Sequence, residues 1–422
     1  MAGPPDTYET RLEVKLASGA TENLTSYLLS YTTDLDCGIF TMGNASASFT
    51  MKNFLNEFTP NGGGTYSTTN WFGAKFLLSF FHVSSSITYT YYLFEGICTD
   101  FSIDSAYEDS KASFSCVDPF TFSSNTRTDI VGITSIESVP TKIAQVMTNV
   151  QFPTLGGTSI GSFTSIGDND GSIANASGTP TAGGVSDLIS TRHLPTAACI
   201  SWPYYSTLAA SLTTYRSAVL YYTPFKTKLS RYGPYYVYGS DITPVTGSMP
   251  FQTLTASYNR AEFATGSQVT DTSGTVSIVS NGASTTTFGT KLISFPQVFA
   301  ITEGTEYQAY ALVNRYNTLE YVPTAVTIKL SQIKPLNNFN TAEAFFKMTD
   351  MLTGMWERME LKYKPVGTGT TVTSQNVLTG RTISGTPEDM IVTFRTKPWY
   401  NWSAFILDDT VNGILDTSRL GW

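Results

Sequence analysis

Polar and apolar residues alternate with a period of two along the N-terminal part of the chain, the signature of strands buried on one face. Arg11-Leu-Glu-Val-Lys-Leu16 reads this way, and Ala45-Ser-Ala-Ser-Phe-Thr-Met51 alternates small and larger side chains. Asn61-Gly-Gly-Gly64 interrupts the pattern and predicts a loop. Residues Tyr89 to Ile103 and Lys111 to Val117 predict a long hairpin turning through Asp104 to Ser110. From Tyr8 to about Phe122 the pattern therefore predicts one β-barrel or sandwich.

The pattern then changes. Ser138-Val-Pro-Thr-Lys-Ile-Ala-Gln-Val-Met147 predicts a short helix, with Ser138 as cap, Pro140 in the first turn and Ile143, Val146 and Met147 on one face. Thr154 to Gly184 lacks sustained periodicity and predicts a long loop with a weak hairpin. A second helix is predicted between Tyr204 and Thr214, and strand and loop over Leu220 to Tyr238, where Pro224 and Pro234 break the run. Strands return at Thr253–Tyr258, Gly274–Val279, Lys291–Phe295 and Thr324–Leu330, with a helix near Thr305–Tyr316 between the last two. A helical linker, Thr341–Thr349, leads to strands at Arg358–Lys364, Gln375–Thr382 and Met390–Thr396.

At 422 residues the chain exceeds one ordinary hydrophobic core. The organisation expected is an N-terminal tube-like β domain (1–122), a mixed α/β insert (123–250), a second tube-like β domain beginning at 251–340, and a C-terminal β region with a docking tail (341–422). The fold class is mainly β. Composition supports it: 14% of residues are charged and 13% aromatic, against a background rich in Thr, Ser and Gly.

A net charge of −8 provides no basic footprint for holding nucleic acid. Cys37, Cys98, Cys116 and Cys199 are too sparse for a disulfide scaffold and lack zinc-site spacing. Cys98 and Cys116 are placed to face each other across the hairpin, as packing rather than as a bridge. The start of the sequence has no basic region followed by an apolar run, and no stretch approaches the ~20 apolar residues of a membrane span, so synthesis in a cytoplasm is expected. The sequons at Asn23, Asn44, Asn175 and Asn401 are then chance products of a Ser/Thr-rich chain.

Three stretches carry a resemblance to a known family. Ala45-Ser-Ala-Ser-Phe-Thr-Met-Lys-Asn-Phe54 with Phe58-Thr-Pro60 resembles a strand ending in "Leu-x-Asn-x-x-Gly-x-Phe-x-Pro", and Leu93-Phe-Glu-Gly-Ile97 and Ser113-Phe-Ser-Cys-Val-Asp118 follow like "Leu-Phe-x-Gly-x-Ile" and "Val-x-Cys-x-Asp". Ala256-Ser-Tyr-Asn-Arg260, Gln268-Val-Thr-Asp-Thr-Ser273 and Thr286-Thr-Phe-Gly-Thr-Lys291 are similar to the family's later strand, its "Asp-x-x-Ser" turn and its "x-Tyr-Gly-x-Arg" segment, with Phe288 and Lys291 replacing Tyr and Arg. The chain ends on a run, Trp399 to Trp422, similar to "Phe-x-Leu-Asp-Asp...Gly-x-Leu-Asp...Arg-Leu-Gly-Phe". The family is that of siphophage minor tail or tail-tip hub proteins, similar in plan to the baseplate hub of contractile-tailed phages. Residues Ser123 to Met249 match it poorly.

The resemblance implies a structural virion protein, not an enzyme, without cofactor or metal, assembled in the host cytoplasm into the tail tip. It implies a homotrimer whose two tube-like domains per chain extend a six-fold tail tube. The implied partners are a distal tail protein or the tube, the tape measure protein and a central fibre, with DNA passing through without specific binding. Trp399, Trp402, Phe405, Ile406, Leu415 and Trp422 are the candidate docking residues, because together they form an apolar set that a partner would cover.

Other functional classes rest on less. Tyr235 and Tyr236, in a run with Tyr221, Tyr222, Tyr232 and Tyr238, are candidates for stacking on a sugar in a receptor- or carbohydrate-binding tail protein. A distal tail ring protein is the other alternative. His82 sits in an apolar strand context, and His193, near Asp187, Ser190 and Arg192, lies in no nucleophile motif. Asp168-Asn-Asp-Gly171 lacks the terminal Glu of a calcium loop, and Asp408, Asp409 and Asp416 read as turn and cap residues. Glu303 and Glu306 at a helix start are explained by its dipole.

Overall fold

The computed structural model describes residues 7–16, 18–36, 44–84, 86–104, 110–117, 154–155, 158–159, 199–208, 211–221, 234–240, 242–258, 263–271, 276–280, 282–298, 321–336, 338–351, 357–365, 367 and 369–398. The predicted helices at 138–147 and 305–316 lie outside these residues, as does the segment 399–422.

Seven strands come from the N-terminal part: β1 (Thr7–Lys15), β2 (Thr21–Asn23), β3 (Leu28–Asp36), β4 (Asn44–Lys52), β5 (Lys75–Ser84), β6 (Ile87–Asp104) and β7 (Lys111–Val117). The middle supplies β8 (Thr154–Leu155), β9 (Thr158–Ser159), β10 (Cys199–Leu208), β11 (Ser211–Tyr221), β12 (Tyr235–Tyr238) and β13 (Met249–Pro250). The remainder comprises β14 (Thr253–Tyr258), β15 (Gly266–Asp271), β16 (Val276–Ser280), helix α1 (Gly282–Phe288), β17 (Leu292–Val298), β18 (Tyr321–Lys329), α2 (Leu330–Ile333), α3 (Phe339–Thr349), β19 (Arg358–Tyr363), β20 (Val372–Gly385) and β21 (Met390–Pro398). The chain is mainly β, as its pattern predicts.

Alternation fixes which face of each N-terminal strand is buried. Thr10, Leu12 and Val14 of β1, Ala45, Ala47, Phe49 and Met51 of β4, and Ala112, Phe114 and Cys116 of β7 all point into one core. The predicted hairpin is β6 and β7, paired antiparallel from Ile97↔Val117 to Asp104↔Lys111. The 18-residue β6 serves two partners: its first part pairs with β5 and its last part with β7.

One 14-stranded sheet gathers both ends of the chain, in the order β13-β12-β19-β20-β3-β4-β7-β6-β5-β1-β2. Strand β20 makes the join. Its first residues pair with β19, its last six with β3 (Gly380↔Asp36 to Gly385↔Tyr31), and its opposite edge with β21. Strand β18 pairs with β21 and β14, and among the described residues β14 pairs with β18 alone. A second sheet, β10-β11-β17-β15-β16, is separate.

The helix predicted between Tyr204 and Thr214 is instead the hairpin of β10 and β11, paired from Cys199↔Tyr221 to Leu208↔Ser211. Aromatic and Thr residues on both sides favour a pleated backbone, and the apolar window between them is too short to nucleate a helix. Pro203 lies in β10, which is the outer strand of its sheet, where a missing N–H is tolerated. The weak hairpin expected within Thr154–Gly184 corresponds to β8 and β9.

Helix α3 forms where predicted. The Asn338 side chain accepts from the Thr341 N–H at 3.2 Å and caps it, while Ala342, Phe345, Phe346 and Thr349 line its buried face at helical spacing.

Candidate functional site

The residues that carry the N-terminal resemblance are packed together. Asn53 follows β4 directly, is fully buried, and anchors the turn after the strand. Its backbone N–H donates to Ser110 O at 2.9 Å, its amide nitrogen to Thr59 Oγ1 at 2.8 Å and Ser110 Oγ at 2.9 Å, and its amide oxygen accepts from Phe58 N–H at 2.9 Å. Those bonds tie residues 53–59 to the start of β7. The loop then crosses the sheet face to β5 and covers it with Phe58, Tyr66 and Trp71. Phe58 stacks on Tyr66 at 5.3 Å, and Trp71 meets Phe114 edge-on at 5.0 Å. Phe54 and Leu55 point outward, 77% and 73% exposed.

In Leu93-Phe-Glu-Gly-Ile97 each position has a structural reason. Leu93 and Phe94 are core residues, and buried Glu95 is ion-paired with Lys75 of the neighbouring strand. Gly96 is required by close approach, since a Cβ there would lie 2.4 Å from the Phe94 ring and 2.4 Å from Val117 O. Cys116 faces Cys98 across β6–β7, and both are free and buried, as packing predicts.

The seam between the chain's two ends is polar. Arg381 of β20 is fully buried, and it donates from Nη2 to Leu93 O at 2.8 Å and from Nη1 to Thr33 Oγ1 at 3.4 Å. Arg395 of β21 donates to both oxygens of Asp34, at 2.9 and 3.3 Å, and to Leu35 O at 2.8 Å, while the Thr382 hydroxyl also donates to Asp34. One residue before Leu93 on β6, Tyr92 N–H donates to the Asp350 carboxylate and Met351 N–H to Tyr92 O, both at 2.8 Å. His82, fully buried on β5, stacks on Tyr8 at 5.0 Å and Phe339 at 5.6 Å, so it is a packed strand residue.

Burial pushes the Asp34 carboxyl up, but hydrogen bonds from Arg395 and Thr382 and the Arg395 charge outweigh it and hold the group below its ordinary value. A folded pKa below the unfolded one contributes stability above the usual carboxylate range of about 4 and loses it as pH falls through the lowered value. Acid titration followed by tryptophan fluorescence should therefore unfold the protein over a range in which Asp34→Asn has a shallower pH dependence than the wild type. The effect is small, because the pair is partly exposed.

Tyr235 and Tyr236 fall on β12 as successive residues, so their rings leave opposite faces of the sheet: Tyr235 packs against the core, and Tyr236 is 38% exposed. Trp399, Trp402, Phe405, Ile406, Leu415 and Trp422 lie outside the described residues, as do His193, Asp187, Ser190, Arg192, residues 168–171, Glu303, Glu306, Asp408, Asp409 and Asp416. Among the described residues no group of three or more His, Cys, Asp or Glu is placed to hold a metal ion, and no helix is long and apolar enough to cross a membrane. Asn53 and Gly96 were marked in the sequence by the resemblance alone. Arg381 was not singled out, because nothing in its neighbourhood announces that a charge there is buried.

No protein-family model matches the chain, and no curated protein does. Solved structures do. The tail protein from Neisseria meningitidis MC58 aligns over 93% of this chain and 96% of its own, at 9% identity and a TM-score of 0.48. The 43 kDa tail protein of prophage MuSo2 from Shewanella oneidensis aligns over 92% and 98%, at 10% identity and a TM-score of 0.41. The E. coli c3393 protein, a component of the type VI secretion system described as structurally similar to T4 tail proteins gp27 and gp5, aligns over 89% of this chain and 74% of its own, at 10% identity and a TM-score of 0.37.

Proposed function

We propose that the chain is a structural subunit of a bacteriophage tail tip, a hub that continues the tail tube and joins it to the tip. The observation that carries the reading is the placement of the hub-like sequence motif. Asn53, Phe58, Phe94, Gly96 and Cys116, matched in order to the family pattern, build one buried unit at β4, β6 and β7. They serve architecture, as a ring component requires.

In this reading residues 1–122 form one tube-like unit and the β region from 251 onward forms the second, with 123–250 inserted between them and the segment from Trp399 to Trp422 docking on a partner. Three chains then offer six positions to a six-fold tube. Strand β14, Thr253-Leu-Thr-Ala-Ser-Tyr258, supports assembly through sheet edges: it has no charge and no Pro, the usual devices that keep an edge from pairing with another chain. Ring closure is what stops such a contact from propagating. The partners are a distal tail protein or the tube on one side, a central fibre on the other, and the tape measure protein within. The excess of acidic residues leaves little to retain DNA as it passes.

A reconstruction of the particle, with copy number checked by quantitative mass spectrometry against the tube protein, tests this. Three copies at the tip are expected. Six copies would overturn the trimer in favour of a distal ring, and absence from the tail would overturn the whole reading.

A further inference from the structure

Cys98 and Cys116 are direct partners in the antiparallel ladder of β6 and β7. Antiparallel partners come in two kinds, and the hydrogen bonds identify which this is. Cys98 N–H donates to Ala74 O at 2.9 Å, and Cys98 O accepts from Gly73 N–H at 2.9 Å, so both backbone groups of Cys98 point away from β7. The two cysteines therefore form a non-hydrogen-bonded pair, the kind in which Cα atoms approach to about 4.5 Å and side chains are closest. That separation falls inside the range a disulfide spans. Both side chains face the core at 1% exposure, beside Ala47, which pairs with Cys116 on the other side and is small enough to leave them room.

We infer that Cys98 and Cys116 form an oxidisable dithiol, a modification site that closes to a disulfide on reaction with a low-molecular-weight disulfide such as oxidised glutathione. The Cys98 thiolate attacks one sulfur of the reagent and displaces a thiolate. The Cys116 thiolate then attacks the Cys98 sulfur of the mixed disulfide and displaces the second. Two protein thiols are oxidised, the reagent is reduced to two thiols, and the two cysteine protons end on the leaving groups. Cys98 is the attacking group because the hydrogen bond from Cys116 lowers its thiol from the ordinary value, whereas burial raises Cys116.

Access comes from the ladder itself. The register shifts between Cys98 and Asp100, and a bulge leaves pairing locally disrupted and cheaper to open. The thiols thus stay reduced in a reducing cytoplasm and close slowly in an oxidising medium. The closed bond would tie β6 to β7 under the 53–74 loop. The site stands independently of the role proposed above.

The test uses the full chain, folded and reduced, incubated with oxidised glutathione, then unfolded in denaturant containing N-ethylmaleimide and digested without reduction. The expected main disulfide product joins the Cys98 peptide to the Cys116 peptide. Thermal unfolding of that material has a higher midpoint than the reduced chain, and dithiothreitol reverses the shift. A Cys37→Ser/Cys199→Ser variant, which leaves the core pair untouched, gives the same product. Full N-ethylmaleimide labelling of both thiols after an incubation that cross-links the unfolded chain would overturn the inference. So would a stable glutathione adduct that never closes, or a main product joining either cysteine to Cys37 or Cys199.

Discussion

Phe346→Ala is expected to lower the stability of the protein by about 3–5 kcal/mol, the cost of deleting a buried aromatic ring without collapse of the cavity. Phe346 is fully buried and holds α3 to the N-terminal sheet. Its ring stacks on Phe80 at 4.8 Å and Tyr91 at 5.2 Å, and meets His82 at 5.5 Å and Tyr8 at 5.7 Å. No neighbour can fill the gap, because these rings already rest on one another and on β1, β5 and β6. The urea midpoint should fall accordingly, and amide exchange in α3 should quicken more than in β4. Lys347→Ala on the solvent side of the same helix, which removes an exposed ion pair with Glu343, should shift stability by no more than about 0.5 kcal/mol. Equal effects from the two substitutions would mean that α3 is not fastened through Phe346.

The second large effect is expected from one methyl group. Gly96→Ala places a Cβ 2.4 Å from Val117 O, a backbone atom held in the ladder next to the Ile97↔Val117 pair, and 2.4 Å from the Phe94 ring. Neither can retreat without opening β6–β7 or moving a core ring, so the loss should reach the upper end of the usual 1–3 kcal/mol for overpacking, about 3 kcal/mol. Gly282→Ala is the matched control: a Cβ there meets nothing within 4 Å, and it begins a helix, so stability should be unchanged or slightly raised. Thermal unfolding of the pair distinguishes the steric account from a general intolerance of the fold to Gly replacement.

These two sites differ in how far the sequence reveals them. Helix α3 was legible in outline as the helical linker Thr341–Thr349, while its Asn338 cap and the buried face of Ala342, Phe345, Phe346 and Thr349 are supplied by the structure. Strands β1, β4 and β7 were legible because their outward positions are polar. Elements were misread or missed where local pattern and tertiary environment disagree. The hairpin β10–β11 lies in a run whose Leu208-Ala-Ala-Ser-Leu212 centre looks helical, and helix α1 (Gly282–Phe288) was missed because Ala-Ser-Thr-Thr-Thr has neither an apolar face nor high helix propensity. Its end is marked instead by Gly289, whose φ of +77° stops the helix with its N–H on Thr285 O.

The seam was not legible at all. Pairing of β3 with β20 is a relation between segments at opposite ends of the chain, and no window of sequence contains both. The same holds for Arg381, whose acceptor Leu93 O lies in another strand of the N-terminal sheet. Asn53, Phe58 and Gly96 suffer less from this, because their family-like spacing marks them and the structure supplies a packing reason for each. The candidate docking residues Trp399, Trp402, Phe405, Ile406, Leu415 and Trp422 lie outside the described residues.

The join between β3 and β20 also sets the order of events during synthesis. Asp34 and Thr382 are 348 residues apart, so at roughly 5–20 residues per second the partner of β3 emerges on the order of 20–70 s after β3 itself. Strands β1 to β7 can pair among themselves in that interval, but one edge of β3 stays open until β20 arrives. The N-terminal sheet is thus finished by a strand made long after the rest of it, and a ribosome that stalls before Val372 releases a product whose sheet has an unguarded side.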